Sequence, residues 1–262
     1  MSFTAATGDL VSKTLVIAEI EARKLRHDPT ELLTRAIQPI LWLLVFGEVI
    51  NQVHLIPIPG MSYIDFLTPG VLAQSILFIS IFYGLATIWE RDLGIVQKLL
   101  TTPVPRIGLV SGKALSAGIR ALSQAVIIYI LALLIGVSVN LNPLAITAVL
   151  VVVLLGAAIF ATLSLIIACL VRTQEKFMGI GQMITMPLFF ASNAIYPISL
   201  MPGWLQAIAY GNPLTYMVDA LRSMMVYGAP SEFGLGVDFL VLIGFTVALV
   251  LIAARLYPRV AQ

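Results

Sequence analysis

The sequence predicts an all-α integral membrane protein: six transmembrane helices, an N-terminal amphipathic interfacial helix and an extracellular re-entrant helical hairpin before the last span. Three observations carry this reading. Of 262 residues, 60% are hydrophobic and only 11% charged, and the mean hydropathy is +1.01; a soluble domain carries about a quarter charged residues. Six apolar runs, near 32–51, 66–88, 112–136, 143–171, 177–197 and 237–256, each reach the roughly 20 residues that a spanning helix needs. The Lys and Arg residues also fall in alternate connections between those runs.

The elements follow in chain order. Residues 10–28 place Val11, Leu15, Ala18, Ala22 and Leu25 on one helical face and Lys13, Glu19, Glu21, Arg23, Lys24 and Arg26 on the other. That helix is too polar to span and is expected along the membrane surface; a soluble helix packed on a partner is the alternative. The first apolar run has no small-residue cleavage pattern after it and reads as a retained span. Lys13, Arg23, Lys24, Arg26 and Arg35 lie before or at the first span, Arg91, Lys98, Arg106 and Lys113 between or beside the second and third, Arg172 and Lys176 between the fourth and fifth, and Arg255 and Arg259 at the end. The connections 51–65 and 137–142 hold neither Lys nor Arg. Positive residues stay cytoplasmic, so both termini are expected inside.

Residues 200–228 resemble a seventh span, but Gly211-Asn212-Pro213 interrupts them. Asn212 as N-cap with Pro213 at the first helical position is a helix start. The pieces of about 7 and 14 residues, roughly 10 and 21 Å long, cannot cross the bilayer. Two short helices that dip in and return are expected, with their irregular backbone covered by protein or a water-filled cavity.

Charges in an oily chain need reasons. Lys113, Ser116, Arg120, Ser123 and Gln124 form a stripe on the third span. It faces a partner or a transport path, or Arg120 snorkels to the headgroups. Glu48 is expected at the interface, with a place lining a path as the alternative, and Asp219 and Arg222, three residues apart, as a local ion pair ahead of a substrate site. Gln182, Thr185, Ser192 and Asn193 near Pro187 are expected to hydrogen-bond neighbouring helices. Trp89–Arg106, "WERDLGIVQKLLTTPVPR", is a short charged helix between two oily runs.

Several chemistries are argued against. One cysteine, Cys169, permits no internal disulfide, and His27 and His54 have no ligand-spaced neighbours. "GLVSGKA" (108–114) lacks the spacing and hydroxyl of a phosphate-binding loop, with Ala114 where Ser or Thr belongs. No span holds a histidine or paired acids that would serve a hydrolase or a proton relay. No catalytic residue, bound metal or cofactor is expected, so uphill transport would draw its energy from another polypeptide.

Two stretches carry a family resemblance. "WERDLGIVQKLLTTPVPR" followed by "SGKAL" is similar to the Glu-Arg-x-x-Gly-x-x-(Glu/Gln)-x-Leu-x-x-(Ser/Thr)-Pro pattern of type-2 ABC exporter permeases. "FFASNAIYPISLMPGWLQAIAYGNPLTYMVDALR" (189–222) resembles the family signature around the fifth span and outer hairpin. Asp92 and Gln97 stand where many relatives have Glu. The resemblance implies a permease domain over 32–262, after an interface helix over 1–31. The partners implied are two cytoplasmic ABC ATPase subunits carrying ATP and Mg, a second permease chain, identical or related, and membrane lipids, with no nucleic acid. The setting implied is the inner membrane of a prokaryote.

It also implies an ATPase-coupling loop over 89–106, with that role on Glu90, Arg91, Asp92, Gly94, Gln97, Lys98 and Leu99. Arg172, Glu175 and Lys176 form a second contact in the connection 172–176. The outer gate falls in 198–228. The physics of docking agrees: Ile95 and Leu99, with Val96 and Leu100 adjoining, offer an apolar ridge between charges. Residues expected on the translocation path or outer gate are Arg120, Gln182, Asn193, Tyr196, Trp204, Asn212, Pro213 and Tyr216. The aromatics among them, with Phe189, Phe190 and Tyr210, line the path or form an interfacial belt. The substrate expected is amphipathic, drug-like or lipid- or glycan-linked. A membrane scaffold that recruits a cytoplasmic protein, or a secondary carrier, are the competing functions.

Overall fold

The computed structural model describes residues 29–53, 56, 58, 60–100, 106–171 and 173–257. The amphipathic segment 10–28, His27, His54, residues 101–105, Arg172 and Arg259 lie outside the described residues. Among the described residues every named element is a helix, and a single β-bridge joins Val139 to Val226.

The described residues open with α1 (Pro29–Ile40), a π-helical stretch (Leu41–Gly47) and α2 (Glu48–Val53). The π stretch starts just after Pro39, whose missing N–H interrupts the i→i−4 ladder. Then come α3 (Tyr63–Asp92), α4 (Ile95–Leu100), α5 (Arg106–Ile135), α6 (Pro143–Leu170) and α7 (Gln174–Phe190). The short helices α8 (Gly203–Gly211) and α9 (Pro213–Met225) precede α10 (Leu235–Leu256). Local chemistry starts several of these helices. Ser62 accepts from the Asp65 N–H, Asn142 from the Leu144 N–H with Pro143 behind it, and Thr173 from the Lys176 N–H.

Among the described residues five helices are long and apolar enough to cross a bilayer: Ala36–Val53, Tyr63–Asp92, Arg106–Ile135, Pro143–Leu170 and Leu235–Leu256. The apolar run near 177–197, expected as a full span, forms a helix only over Gln174–Phe190, 17 residues, or about 25 Å. It stops because residues 191–197 turn inward. The Ser192 hydroxyl bonds back to the Phe189 carbonyl, Tyr63 on α3 donates to the Ile195 carbonyl (3.0 Å), and the Ala194 backbone seats on Gly70.

Helix α6 is the hub, packing on α3, α5, α9 and α10. It is the most apolar span and presents small residues, Gly156, Ala157, Ala161, Ser164 and Ala168, which let neighbours approach closely. Ser164 donates to the Ile81 carbonyl of α3. One end of the bundle carries α4, Arg91, Arg106, Lys113 and Arg255, and is the basic end. The other carries α8, α9 and the connection 136–142, and is the hairpin end.

Candidate functional site

At the basic end the charged stretch is two pieces. Trp89–Asp92 is the last turn of α3, and the short helix proper is α4. Gly94, with φ +72°, makes the break, a conformation a side chain would strain. Three contacts fasten this corner. Lys113 of α5 pairs with Glu90 and donates to Thr87 (3.0 Å), both on α3. Arg91 grips Asp92 (3.1 Å) and donates to the Val171 carbonyl after α6 (3.1 Å). Val96, fully buried, joins a cluster of Val110, Leu165, Cys169, Ala253, Ala254 and Tyr257.

The expected apolar ridge is therefore split. Val96 points inward as the anchor, while Trp89, Leu93 and Ile95 remain exposed beside Asp92 and Gln97. The backbone of Lys98 and Leu99 lies in α4; their side chains are outside the described set. Glu175 and Lys176 are exposed at the start of α7, near the Val171 carbonyl held by Arg91.

Two members of the polar stripe on α5, Lys113 and Arg120, meet α3 of the same chain. Lys113 meets Glu90 and Thr87, and the Arg120 guanidinium lies 5.3 Å from the Tyr83 ring centre. Interior charge is thus met within the bundle, which lowers its cost.

At the hairpin end, Asn212 is buried and caps two helices at once. Its side-chain N–H groups reach the Leu188 (2.7 Å) and Ala191 (3.1 Å) carbonyls at the end of α7, while its oxygen accepts from Leu214 N–H (3.0 Å) at the start of α9. Asn212→Ala is expected to destabilise the protein by about 1–2 kcal/mol. Thermal unfolding in detergent measures it, with Asn212→Asp, which keeps only the α9 cap, intermediate.

Arg222 and Asp219 form no direct ion pair, contrary to expectation. Arg222 is buried over the Phe66 ring (3.7 Å) and donates to the Phe66 (3.3 Å) and Asn193 (2.7 Å) carbonyls. Its pKa is pulled down to about 10 by burial, against Asp219 and Glu232, which leaves it charged at neutral pH. The Asp219 carboxylate turns the other way and accepts from the Ser231 hydroxyl (2.8 Å) and the Glu232 and Phe233 N–H groups. Each charge found backbone partners, which fix a turn and a crossing better than a surface pair does. Burial first, then Asp219, raises the Glu232 carboxyl above its ordinary range, with Arg222 and Asn193 opposing.

Asp238, in the first turn of α10, is buried and shares the Ser231 hydroxyl (3.4 Å) with Asp219. The sequence reading held no paired acids in the spans; here two carboxyls meet at the end of one. Asp238 opens an apolar run, and an ionisable residue in that place was the available signal.

The hydroxyls of the fifth apolar run bond within their own segment, contrary to expectation. Thr185 reaches the Gly181 carbonyl and Ser192 the Phe189 carbonyl, because a hydroxyl three or four residues on is nearer than any neighbouring helix. Gln182 faces outward and Asn193 is buried; Tyr196 donates to the Phe190 carbonyl and Tyr216 to the Tyr210 carbonyl. Pro213 is buried at the first position of α9, and Trp204 on α8 is exposed. The structure joins Asn193 to Arg222 and Asn212 to the end of α7, while Arg120 packs on α3.

These features define a multi-span membrane protein with an anchored, charged corner at one end and a polar-stapled helical hairpin at the other. The family model for ABC-2 type transporters matches residues 12–226, and the chain belongs to that family of ABC transporter permeases. It is 25% identical over 256 residues to the daunorubicin resistance ABC transporter permease protein DrrB1 of Streptomyces coeruleorubidus, covering 96% of this chain and 88% of that protein. It is 31% identical over 219 residues to the putative transport permease ycf38 of Porphyra purpurea, covering 79% and 74%. It is 25% identical over 227 residues to the inner membrane transport permease YadH of Escherichia coli K12, covering 84% of each.

Proposed function

We propose that this chain is the membrane subunit of an ATP-driven exporter. It crosses the inner membrane six times, with the short α7 as the fifth crossing, and both termini lie in the cytoplasm. Two cytoplasmic ATPase subunits carrying ATP and Mg dock on the basic end, and a second permease chain completes the path. The hairpin α8–α9 sits in the outer leaflet and forms part of the exit. The cargo is amphipathic, in keeping with a path of few charges and with the drug-resistance relative.

One observation carries the reading. The corner Trp89–Leu100 exposes Trp89, Leu93 and Ile95 among charges, yet is fastened to α3, α5, α6 and the C-terminal Tyr257. A surface of that kind offers a docking partner an apolar centre with charges that set its orientation, and its anchors pass a push into the spans. Glu175 and Lys176 add a smaller contact.

The combined substitution of Glu90 and Lys98 by Ala, which frees the corner from Lys113 and removes a charge from the docking face, is expected to reduce ATPase co-purification, or ATP-driven daunorubicin efflux from cells, about tenfold or more. Full association, hydrolysis and efflux in that variant would overturn the docking assignment. A wild-type chain that retains a cytoplasmic protein without ATPase activity would favour a scaffold.

A further inference from the structure

The last span touches both functional ends through a different kind of joint at each. At the basic end Tyr257, one residue beyond α10, is fully buried among Val96 of the docking corner, Val110 of α5, and Leu165 and Cys169 of α6. Helix α4 packs mainly on α3, and Val96 ties it to α10 through the buried cluster it shares with Ala253, Ala254 and Tyr257. Burial, with Glu90 and Cys169 nearby, pushes the Tyr257 phenol up to about 12, so it stays neutral. Its hydroxyl is buried without a hydrogen-bond partner among the described residues, which gives the ring, more than the hydroxyl, the structural role.

At the hairpin end the preceding turn and first turn of α10 grip both short helices. Ser231 and the Glu232 and Phe233 N–H groups bind Asp219 of α9, and Asp238 shares the Ser231 hydroxyl. The Phe233 ring meets Tyr210 of α8 edge-on (6.0 Å) and Tyr216 of α9 (4.9 Å). Between the joints, α10 is one unbroken 22-residue helix with no proline, about 33 Å long. A continuous helix clamped at both ends moves as a body; a kinked one would absorb displacement.

We propose that α10 is a strut that carries displacement of the ATPase-docking corner to the outer hairpin, with Tyr257 and Asp238 as the positioning residues at its two joints. The inference rests on the docking assignment above. It gives the final span, which lies beyond the family match ending at residue 226, a transmitting role, and it assigns the two buried groups that docking alone leaves unused.

The test uses the full complex with its co-purifying ATPase in lipid nanodiscs. Cysteine is placed at exposed Ala207 on α8 (A207C), and maleimide labelling is compared with and without ATP and vanadate, the chain without A207C serving as the blank. Wild type is expected to change its labelling rate about fivefold or more, and Tyr257→Ala to respond less than about twofold while still binding the ATPase and hydrolysing ATP. Tyr257→Phe, which keeps the ring, is expected to respond as wild type. Asp238→Ala is expected to lose the response too, and the double variant to be no worse than the weaker single, as for residues acting in series.

A wild-type response retained in Tyr257→Ala, or independent additive losses in the double variant, would overturn the strut. Should Tyr257→Ala fail to assemble, Tyr257→Leu carries the same comparison. Absence of any ATP response in wild type, despite hydrolysis, would overturn the strut as well, whereas failure of any ATPase to co-purify with wild type would overturn the docking assignment beneath it.

Discussion

Arg222→Met will unfold well below the wild type, losing about 3–5 kcal/mol, the usual cost of breaking a buried charge network. The guanidinium ties α9 to both the start of α3 and the turn after α7, through the Phe66 and Asn193 carbonyls. Removal strands those buried acceptors and takes the compensating cation away from Asp219 and Glu232. Arg222→Lys is expected to recover little, since a single ammonium cannot reproduce the planar fork across two carbonyls or its stacking on Phe66. Thermal unfolding of the detergent-purified chain, read with protease sensitivity of the hairpin, measures the loss. A melting curve within about a degree of wild type, roughly 0.5 kcal/mol or less for a chain of this size, would show that the staple contributes nothing.

Gly70→Ala is the second large effect. A Cβ there would collide with the Ala194 carbonyl oxygen and stand 2.9 Å from its C and Cα atoms. All three are backbone, so no side-chain rotation relieves the contact and the turn 191–197 must shift. That shift also pulls the Ile195 carbonyl from Tyr63 and the Asn193 carbonyl from Arg222. Overpacking commonly costs about 1–3 kcal/mol; with those bonds disturbed, the upper end or beyond is expected, seen as poor expression and a lowered melting temperature. Ala194→Gly should fail to rescue it because the offending atoms belong to the main chain. Gly156→Ala provides the contrast: its new methyl meets the flexible Met217 side chain and should cost less than about 1 kcal/mol. Equal losses at the two glycines would sink the argument.

The helices and their rough ends were legible because they depend on neighbours in the chain. Apolar runs located the long helices, and Asn212-Pro213 announced the start of α9, since a cap and its helix are only residues apart. Even there, some local features escaped. The charged stretch read as one helix, but Gly94 adopts a left-handed conformation and divides it after Asp92. The fifth apolar run read as a full span because its residues are oily throughout, while its helix ends at Phe190 where the turn seats on Gly70.

Hydropathy sufficed for the membrane class and for five of the six expected spans, because the bilayer acts on each segment separately through its own composition. The partners of the buried charges lay beyond such reading. Arg222 and Asp219, three residues apart, look paired on a helix surface, yet Arg222 binds a carbonyl 156 residues away and Asp219 a turn 12 to 14 residues on. Val96 and Tyr257 share one buried cluster only because α5, α6 and α10 converge at one corner. A buried charge or ring takes whatever partner the packing delivers, and packing is settled by the whole chain at once.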